Sequence, residues 1–197
     1  MLSSGESRVD FLENLDVAIK HWRKVYEKEI ATGSGSRKLQ KMDDSVLKDF
    51  LAVKRPFFTS LTGEDTFYVT TFRMIEFSSL RYSMPSKIAT MRIAGFKLGQ
   101  ELVKQGLIRS LDDAPLVLAI YKVGLLDIVK ESLNNFKLNI YECISCYGLP
   151  NLGQTMCDYE AGILQGILSE LYGSNIVKEK YCWGTGYSFC GFEVYFE

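Results

Sequence analysis

The period of the hydrophobic pattern changes near residue 135, and this change most constrains the fold. Between Val9 and Ile30, apolar side chains recur every three or four positions, the spacing of one helical stripe. From Lys137 to Tyr147, apolar and polar residues alternate instead, which predicts a β-strand. The chain therefore combines helices with a sheet, and its fold class is α/β in the broad sense, more narrowly α+β.

Two further helices are predicted before the change of period. Ser86 to Leu107 has the three-four rhythm, and Gly95 and Gly99 on that helix would let another backbone approach closely. A helix from Ser110 to about Leu133 is predicted by a capping serine, first-turn acids and an early proline. Its apolar residues surround most of the axis, so we expect it to be deeply buried.

Two shorter segments precede these helices. Asp43 to Val53 predicts a short helix. Phe67 to Ile75 is rich in β-branched and aromatic residues and is interpreted as a strand.

The C-terminal third predicts a helix followed by a hairpin. Tyr159 to Tyr172 has helical periodicity, and Ile176 to Trp183 and Phe189 to Phe196 are strands joined by a glycine-containing turn. We therefore expect helices packed on a small antiparallel sheet.

A flexible linker separates the first helix from the rest. Thr32 to Arg37 has the sequence Thr-Gly-Ser-Gly-Ser-Arg, a polar and flexible composition. This divides the chain into an N-terminal helical arm and linker, residues 1–36, and a domain, residues 37–197. The arm must dock either on its own domain or on a second copy.

Composition excludes several functions. The net charge of −1 gives no general attraction for nucleic acids or anionic membranes, so we expect no direct nucleic-acid binding. A single histidine, His21, leaves little basis for hydrolytic triads. The longest apolar run, Ala114 to Tyr121, is far shorter than the roughly 20 residues of a membrane span. With no signal peptide visible, we expect a cytoplasmic protein with reduced thiols.

Three of the five cysteines are the strongest candidates for a functional site. If the hairpin folds symmetrically about Gly186, Cys182 and Cys190 lie opposite each other with Cβ atoms about 4.5–5.5 Å apart. Cys157 opens the preceding helix, so a third sulfur can join them. Zinc usually takes four ligands, and the fourth could be a carboxylate such as Glu179, another cysteine or water.

Each alternative for the fourth ligand meets an objection. Residues three apart on a regular strand point to opposite faces, so Glu179 could join Cys182 only across a bulge. The same spacing weakens Cys143 and Cys146, which fall within the predicted strand 137–147. A third interpretation is that all five cysteines are simply small buried hydrophobic residues.

The C-terminal segment resembles the 4-vinyl reductase domain family. The resemblance rests on Cys157–Gly166, on Glu179-Lys-Tyr-Cys182 and on Gly186–Val194, and it extends over residues 86–197. The family is similar to ligand-binding domains of the NO-signalling and Golgi-transport superfamily, in which helices pack on a small antiparallel sheet around an apolar cavity.

The resemblance also implies a metal site. Phenol-sensing transcriptional activators with such a domain hold zinc through cysteines and a glutamate at positions that match Cys157, Glu179, Cys182 and Cys190. A bulge should then exist in the strand. Four protein ligands would make the zinc structural, bracing the C-terminal hairpin.

Three functions remain open at this point. The first is a sensor or carrier domain, a homodimer that binds a small hydrophobic or aromatic ligand. The second is an accessory or reductase component that acts on a tetrapyrrole-like vinyl substrate, although the sequence has no dinucleotide-binding glycine motif. The third is a dimerisation or scaffold module. The absence of a recognisable catalytic constellation argues against an enzyme without deciding the question.

Overall fold

The computed structural model describes residues 8–41, 47–48, 50–51, 54–61, 66–81, 85–132 and 135–196. These ranges contain six helices and one four-stranded antiparallel sheet, as the fold class predicts. The helices are α1 (Arg8–Thr32), α2 (Pro56–Leu61), α3 (Thr66–Arg81), α4 (Pro85–Lys104), α5 (Ala114–Ile120) and α6 (Asp158–Tyr172). The strands are β1 (Leu125–Ser132), β2 (Asn135–Tyr141), β3 (Asn175–Tyr181) and β4 (Cys190–Phe196).

The sheet has the order β1-β2-β4-β3, with every neighbouring pair antiparallel. The predicted C-terminal hairpin is confirmed as β3 and β4, which pair from Asn175 opposite Phe196 to Tyr181 opposite Gly191. Because β4 also pairs with β2, the turn after β2 and the turn of the hairpin lie at the same end of the sheet.

Helices α4 and α6 approach until their backbones touch, as the glycines of α4 predict. A Cβ at Gly95 would lie 2.1 Å from the carbonyl oxygen of Tyr159, and one at Gly99 would lie 2.2 Å from that of Ile163. The contact is reciprocal, because a Cβ at Gly162 or Gly166 would meet α4 carbonyl oxygens at 2.3 and 2.2 Å. A glycine step on each helix thus removes the side chains that would keep the helices apart.

The N-terminal helix docks on its own chain. Phe11 and Leu15 are buried on α1, and the Arg23 guanidinium pairs with the carboxylate of Asp127 on β1, with 2.9 Å between Nε and Oδ2. At the other end of α1, the Glu29 carboxylate accepts hydrogen bonds from the backbone N–H and hydroxyl of Ser188, both at 2.8 Å. Of the two docking surfaces open to the arm, the structure shows the first.

The strand predicted over residues 67–75 is wrong, because this segment lies in α3. Its buried residues include Val69, Arg73 and Phe77, which are four apart and share one helical face. An alternating strand would have buried Phe67 and Ile75 with them, yet these are 83% and 49% exposed. Here the helical pattern of burial overrides β propensity.

The helix predicted from Ser110 to Leu133 is right only at its beginning. Ser110 and Asp113 form the expected capping box, but α5 ends at Ile120 and the chain enters the left-handed region at Lys122, where φ is 56°. The following β1 is covered on both faces: Leu125 packs with α1 and Leu126 packs in the main core. A strand buried on both sides lacks polar alternation and therefore resembles a buried helix.

Two other predicted boundaries differ from the structure or lie beyond it. The strand predicted over residues 137–147 ends at Tyr141, and a turn follows in which Glu142 has a φ of 49°. The short helix predicted over residues 43–53 falls largely outside the described residues.

The contact between α4 and α6 gives a stability prediction. Replacing Gly99 by Ala places a methyl group against the Ile163 carbonyl, so we expect the free energy of unfolding to fall by about 1–3 kcal/mol although alanine favours helix. Urea unfolding of G99A measures this, with K97A on the exposed face of α4 as the control. A G99A protein as stable as the wild type would contradict the close packing.

Candidate metal centre

All five cysteines converge at one end of the sheet. Cys143 and Cys146 lie in the turn after β2, Cys157 directly precedes α6, Cys182 directly follows β3 and Cys190 begins β4. Every one is free, and none is more than 2% exposed. Segments far apart in sequence therefore deliver five thiols into one buried volume.

The Cys157 sulfur is at the centre of this cluster. Its distances to the sulfurs of Cys190 and Cys146 are both 3.4 Å, and those to Cys143 and Cys182 are 3.5 and 3.8 Å. Cys146 and Cys190 are 3.1 Å apart. Sulfurs that share one tetrahedral zinc at about 2.3 Å are about 3.8 Å apart, so the spacing is close to that of a common metal centre.

Two groups of four residues have ligand atoms that all lie within 4.8 Å of one another. One group is Cys157, Glu179, Cys182 and Cys190, the four residues that the family resemblance implies. The other consists of cysteines alone: Cys143, Cys146, Cys157 and Cys190. The structure thus brings the predicted residues together and adds a set that the sequence pattern disfavours.

A β-bulge brings Glu179 to the cluster. Glu179 pairs with Phe192 and Tyr181 pairs with Gly191, so β3 advances by two residues where β4 advances by one. The bulge that the resemblance implies is therefore present, and it removes the objection to Glu179. The Oε2 atom of Glu179 accepts the Cys157 backbone N–H at 3.0 Å, whereas the buried Oε1 atom has no hydrogen-bond partner among the described residues.

The objection to Cys143 and Cys146 is also removed, because these residues lie in a turn and not in a strand. The Glu160 carboxylate of α6 stabilises this turn: its Oε1 atom accepts the Ser145 hydroxyl at 2.6 Å and the Cys143 thiol at 2.9 Å. The signal that could have identified this pair is the spacing Cys-x-x-Cys itself, which is the usual spacing of a zinc-binding turn.

Burial disfavours charge on the groups of the cluster. It raises the pKa of the Cys157 thiol, and it raises the pKa of the Glu160 and Glu179 carboxyls well above their usual range. Thiolates and a carboxylate in such a site need a compensating positive charge. A divalent cation would supply it, and the unpartnered oxygen of Glu179 is a donor suited to that role.

Arg37 adds one positive charge beside the cluster. Its Nη atoms donate to the carbonyl oxygens of Leu149 at 2.9 Å and Trp183 at 2.7 Å, and its guanidinium lies over the Trp183 ring. Burial lowers the pKa of Arg37, while the charges of nearby cysteines, Cys146 foremost, oppose that shift.

The hairpin turn is shaped around Cys182. A single 3-10 turn, Trp183–Thr185, follows it, and the backbone N–H of Gly184 donates to the Cys182 sulfur at 3.3 Å. Gly186 then takes a φ of 96°, which favours glycine. The hairpin thus folds back immediately after the sulfur, which leaves Cys182 beside Cys157 and Cys190.

Two surface grooves border α1. One, of about 660 Å³, is lined by charged residues that include His21, Lys24 and Glu29. The other, of about 520 Å³, includes Val17, Trp22 and Phe57 in its lining. Over the part of the chain that the structure describes, no helix combines the length and apolarity that crossing a bilayer requires.

The burial of the thiols predicts their reactivity. A disulfide reagent should modify none of the five cysteines of the folded protein within minutes and all five after unfolding in denaturant with a chelator. A K38C variant, with its added thiol at an exposed position, provides the positive control. Rapid modification of native wild-type protein would contradict the buried cluster.

Comparison with known proteins places this arrangement in a family. Residues 136–196 match the 4-vinyl reductase domain, a span that contains all five cysteines. Two uncharacterized proteins of Methanocaldococcus jannaschii are similar. MJ1642 is 34% identical over 127 residues, 64% of this chain and 76% of that protein, and MJ0150 is 32% identical over 106 residues, 52% and 61% of the two.

A solved structure supports the same assignment at the level of fold. The phenol-responsive sensory domain of the transcription activator PoxR, crystallised with phenol, superposes with a TM-score of 0.53 over 64% of this chain and 73% of that one. The sequence identity is 16%, so the similarity concerns the fold alone. With a domain match over the cysteine cluster and a relative of which 76% is covered, the chain belongs to the 4-vinyl reductase domain family.

Proposed function

We propose that this member of the 4-vinyl reductase domain family is a small-molecule-binding sensor or carrier domain braced by a structural zinc ion. The observation that carries the zinc proposal is the convergence of Cys157, Glu179, Cys182 and Cys190 with ligand atoms within 4.8 Å of one another. Three thiolates and one carboxylate are donors that zinc accepts readily.

Each of these four residues would have a separate structural task. Cys157 would anchor the beginning of α6, Cys182 would anchor the end of β3 and Cys190 the start of β4, so that one ion joins the helix to both strands of the hairpin. Glu179 would contribute its unpartnered Oε1 while its Oε2 holds the Cys157 backbone. Bound zinc supplies a cross-link and neutralises the buried negative charges.

This arrangement favours a structural role over a catalytic one. A catalytic zinc keeps one coordination position for water or substrate, whereas four protein ligands close the site. The four residues also lie around a sulfur cluster that is buried from solvent.

The small-molecule part of the proposal rests on the fold. The similar PoxR domain is phenol-responsive, and the present chain has a groove of suitable size bounded by α1 and α2. Its volume, about 520 Å³, falls within the usual range for ligand pockets. The Trp22 and Phe57 side chains in its lining suit an aromatic ligand better than a charged one.

The remaining parts of the proposal concern organisation. We propose residues 37–197 as the ligand-binding domain, residues 1–36 as the arm that completes it, and a cytoplasmic location in which the thiols stay reduced. A homodimer is supported by exposed apolar residues, among them Ile88 and Ile93 on α4. Native mass spectrometry of the full chain measures the oligomeric state, and a monomer at micromolar concentration would contradict it.

The zinc proposal predicts the effect of removing one ligand. C182S should lose the zinc of this site and about 3 kcal/mol of stability, which lowers the Tm by about 6–12 °C for a chain of this size. E179Q should weaken zinc retention in a chelator titration. E101Q, an exposed substitution on α4, is the control. Unchanged metal content and Tm in C182S would contradict the proposal.

The ligand proposal predicts a site-specific effect on phenol binding. Phenol should quench Trp22 fluorescence in the wild type, and V17E should weaken this effect because Val17 lines the groove. V9E provides a matched control, since Val9 lies on the same helix with a similar exposure of 61% against 65%. Equal responses of the two variants would contradict binding in this groove.

A further inference from the structure

We propose that the cysteine cluster binds two divalent metal ions, bridged by the thiolates of Cys157 and Cys190. The proposal extends the single-zinc site of the proposed function and depends on it. One ion would be held by Cys157, Cys190, Cys182 and Glu179. The second would be held by the same two bridging cysteines together with Cys143 and Cys146.

The two possible ligand sets overlap in a way that suits a bridged pair. They share two atoms, the sulfurs of Cys157 and Cys190, and each set adds two ligand atoms of its own. Two tetrahedra that share one edge need six ligands, of which two bridge. The six residues around this cluster provide that number with none left over.

The distances support the shared edge. The Cys157 and Cys190 sulfurs are 3.4 Å apart, and the all-cysteine side is packed at least as closely, with Cys146 at 3.1 Å from Cys190 and 3.4 Å from Cys157. On the other side, Cys182 lies 3.8 Å from Cys157. Cys143 and Cys146 are therefore no farther from the Cys157 sulfur than Cys182 of the first set is.

The second set is held in place by its own contacts. Glu160 hydrogen bonds to both Cys143 and Ser145, while the backbone N–H of Tyr147 donates to the Cys143 carbonyl at 3.0 Å. The backbone N–H of Leu149 donates to the Cys146 carbonyl at 2.9 Å. A buried turn with its two thiols directed at two further sulfurs is a built site, because the ligands are positioned before a metal binds.

Charge is consistent with two ions. One divalent ion with three thiolates and a carboxylate leaves an excess of two negative charges, and two ions with five thiolates and one carboxylate leave the same excess. The added ion thus compensates the two added thiolates completely. Arg37 is close enough for the charges of Cys146, Cys182 and Cys190 to act on it, so one cation serves both halves of the cluster.

The experiment measures metal stoichiometry in the intact protein. Full-length protein, produced in medium supplemented with zinc, is examined by native mass spectrometry and elemental analysis. We expect two zinc ions per chain in the wild type and one in the C143S/C146S double variant. The single variants C143S and C146S provide the same comparison if the double variant does not fold, and K97A controls for purification.

A spectroscopic readout tests the bridge itself. Protein produced with cobalt(II) in place of zinc should show sulfur-to-cobalt charge-transfer absorption, with the electron paramagnetic resonance signal per cobalt reduced by coupling through the shared thiolates. In C143S/C146S the signal per cobalt should recover to that of an isolated ion.

The outcomes separate the two proposals. Two zinc ions in the wild type and one in the double variant support the bridged pair. One ion in both proteins, lost in C182S, overturns the bridged pair and leaves the single structural zinc standing. No metal in the wild type overturns both, and so does iron accompanied by inorganic sulfide.

Discussion

The burial of five thiols and a carboxylate around Cys157 is the constraint on which the rest of the structure depends. Burial makes charge on these groups costly, yet the other four sulfurs are brought within 4 Å of the Cys157 sulfur. A metal resolves this conflict, because it compensates the charge that burial disfavours and converts crowding into coordination. The beginning of α6, the turn after β2 and both ends of the hairpin loop then form a single unit.

The position of Cys157 follows from packing elsewhere. Glycines on α4 and α6 allow the two helices to touch, which fixes the axis of α6 and hence the point at which it begins. At that point Glu160 reaches the turn after β2, and Glu179 holds the Cys157 backbone from β3. The arm contributes from the opposite side, where Trp22 donates to Glu142 at 3.0 Å at the start of the same turn. Helix packing, the bulge in β3 and the docked arm therefore converge on the cluster.

Elements with a clear period can be predicted from the sequence, and elements whose burial is set by neighbours cannot. The helices α1, α4 and α6 and the C-terminal hairpin follow the periodicity of their apolar residues. β1 is covered on both faces, so its sequence predicts a helix, and α3 has strand-forming residues on a helical pattern of burial. Both errors arise because tertiary contacts, absent from a sequence, decide which side chains are buried.

The site divides in a similar way. Cys157, Cys182 and Cys190 can be found from hairpin symmetry and helix position, and Glu179 is added by the family resemblance, which implies the bulge that the structure contains. Cys143 and Cys146 are disfavoured only when the alternating pattern is extended past Tyr141, where β2 in fact ends. A misplaced strand boundary thus changes the interpretation of two thiols from ligands to strand residues.

The most direct test of the metal-centre account is anomalous diffraction from crystals of the full chain, with data collected on both sides of the zinc absorption edge. The account predicts an anomalous peak that is present only above the edge and lies about 2.3 Å from the sulfurs of Cys157 and Cys190. A map without such a peak, in which the five thiols pack against one another as uncharged groups, would contradict it.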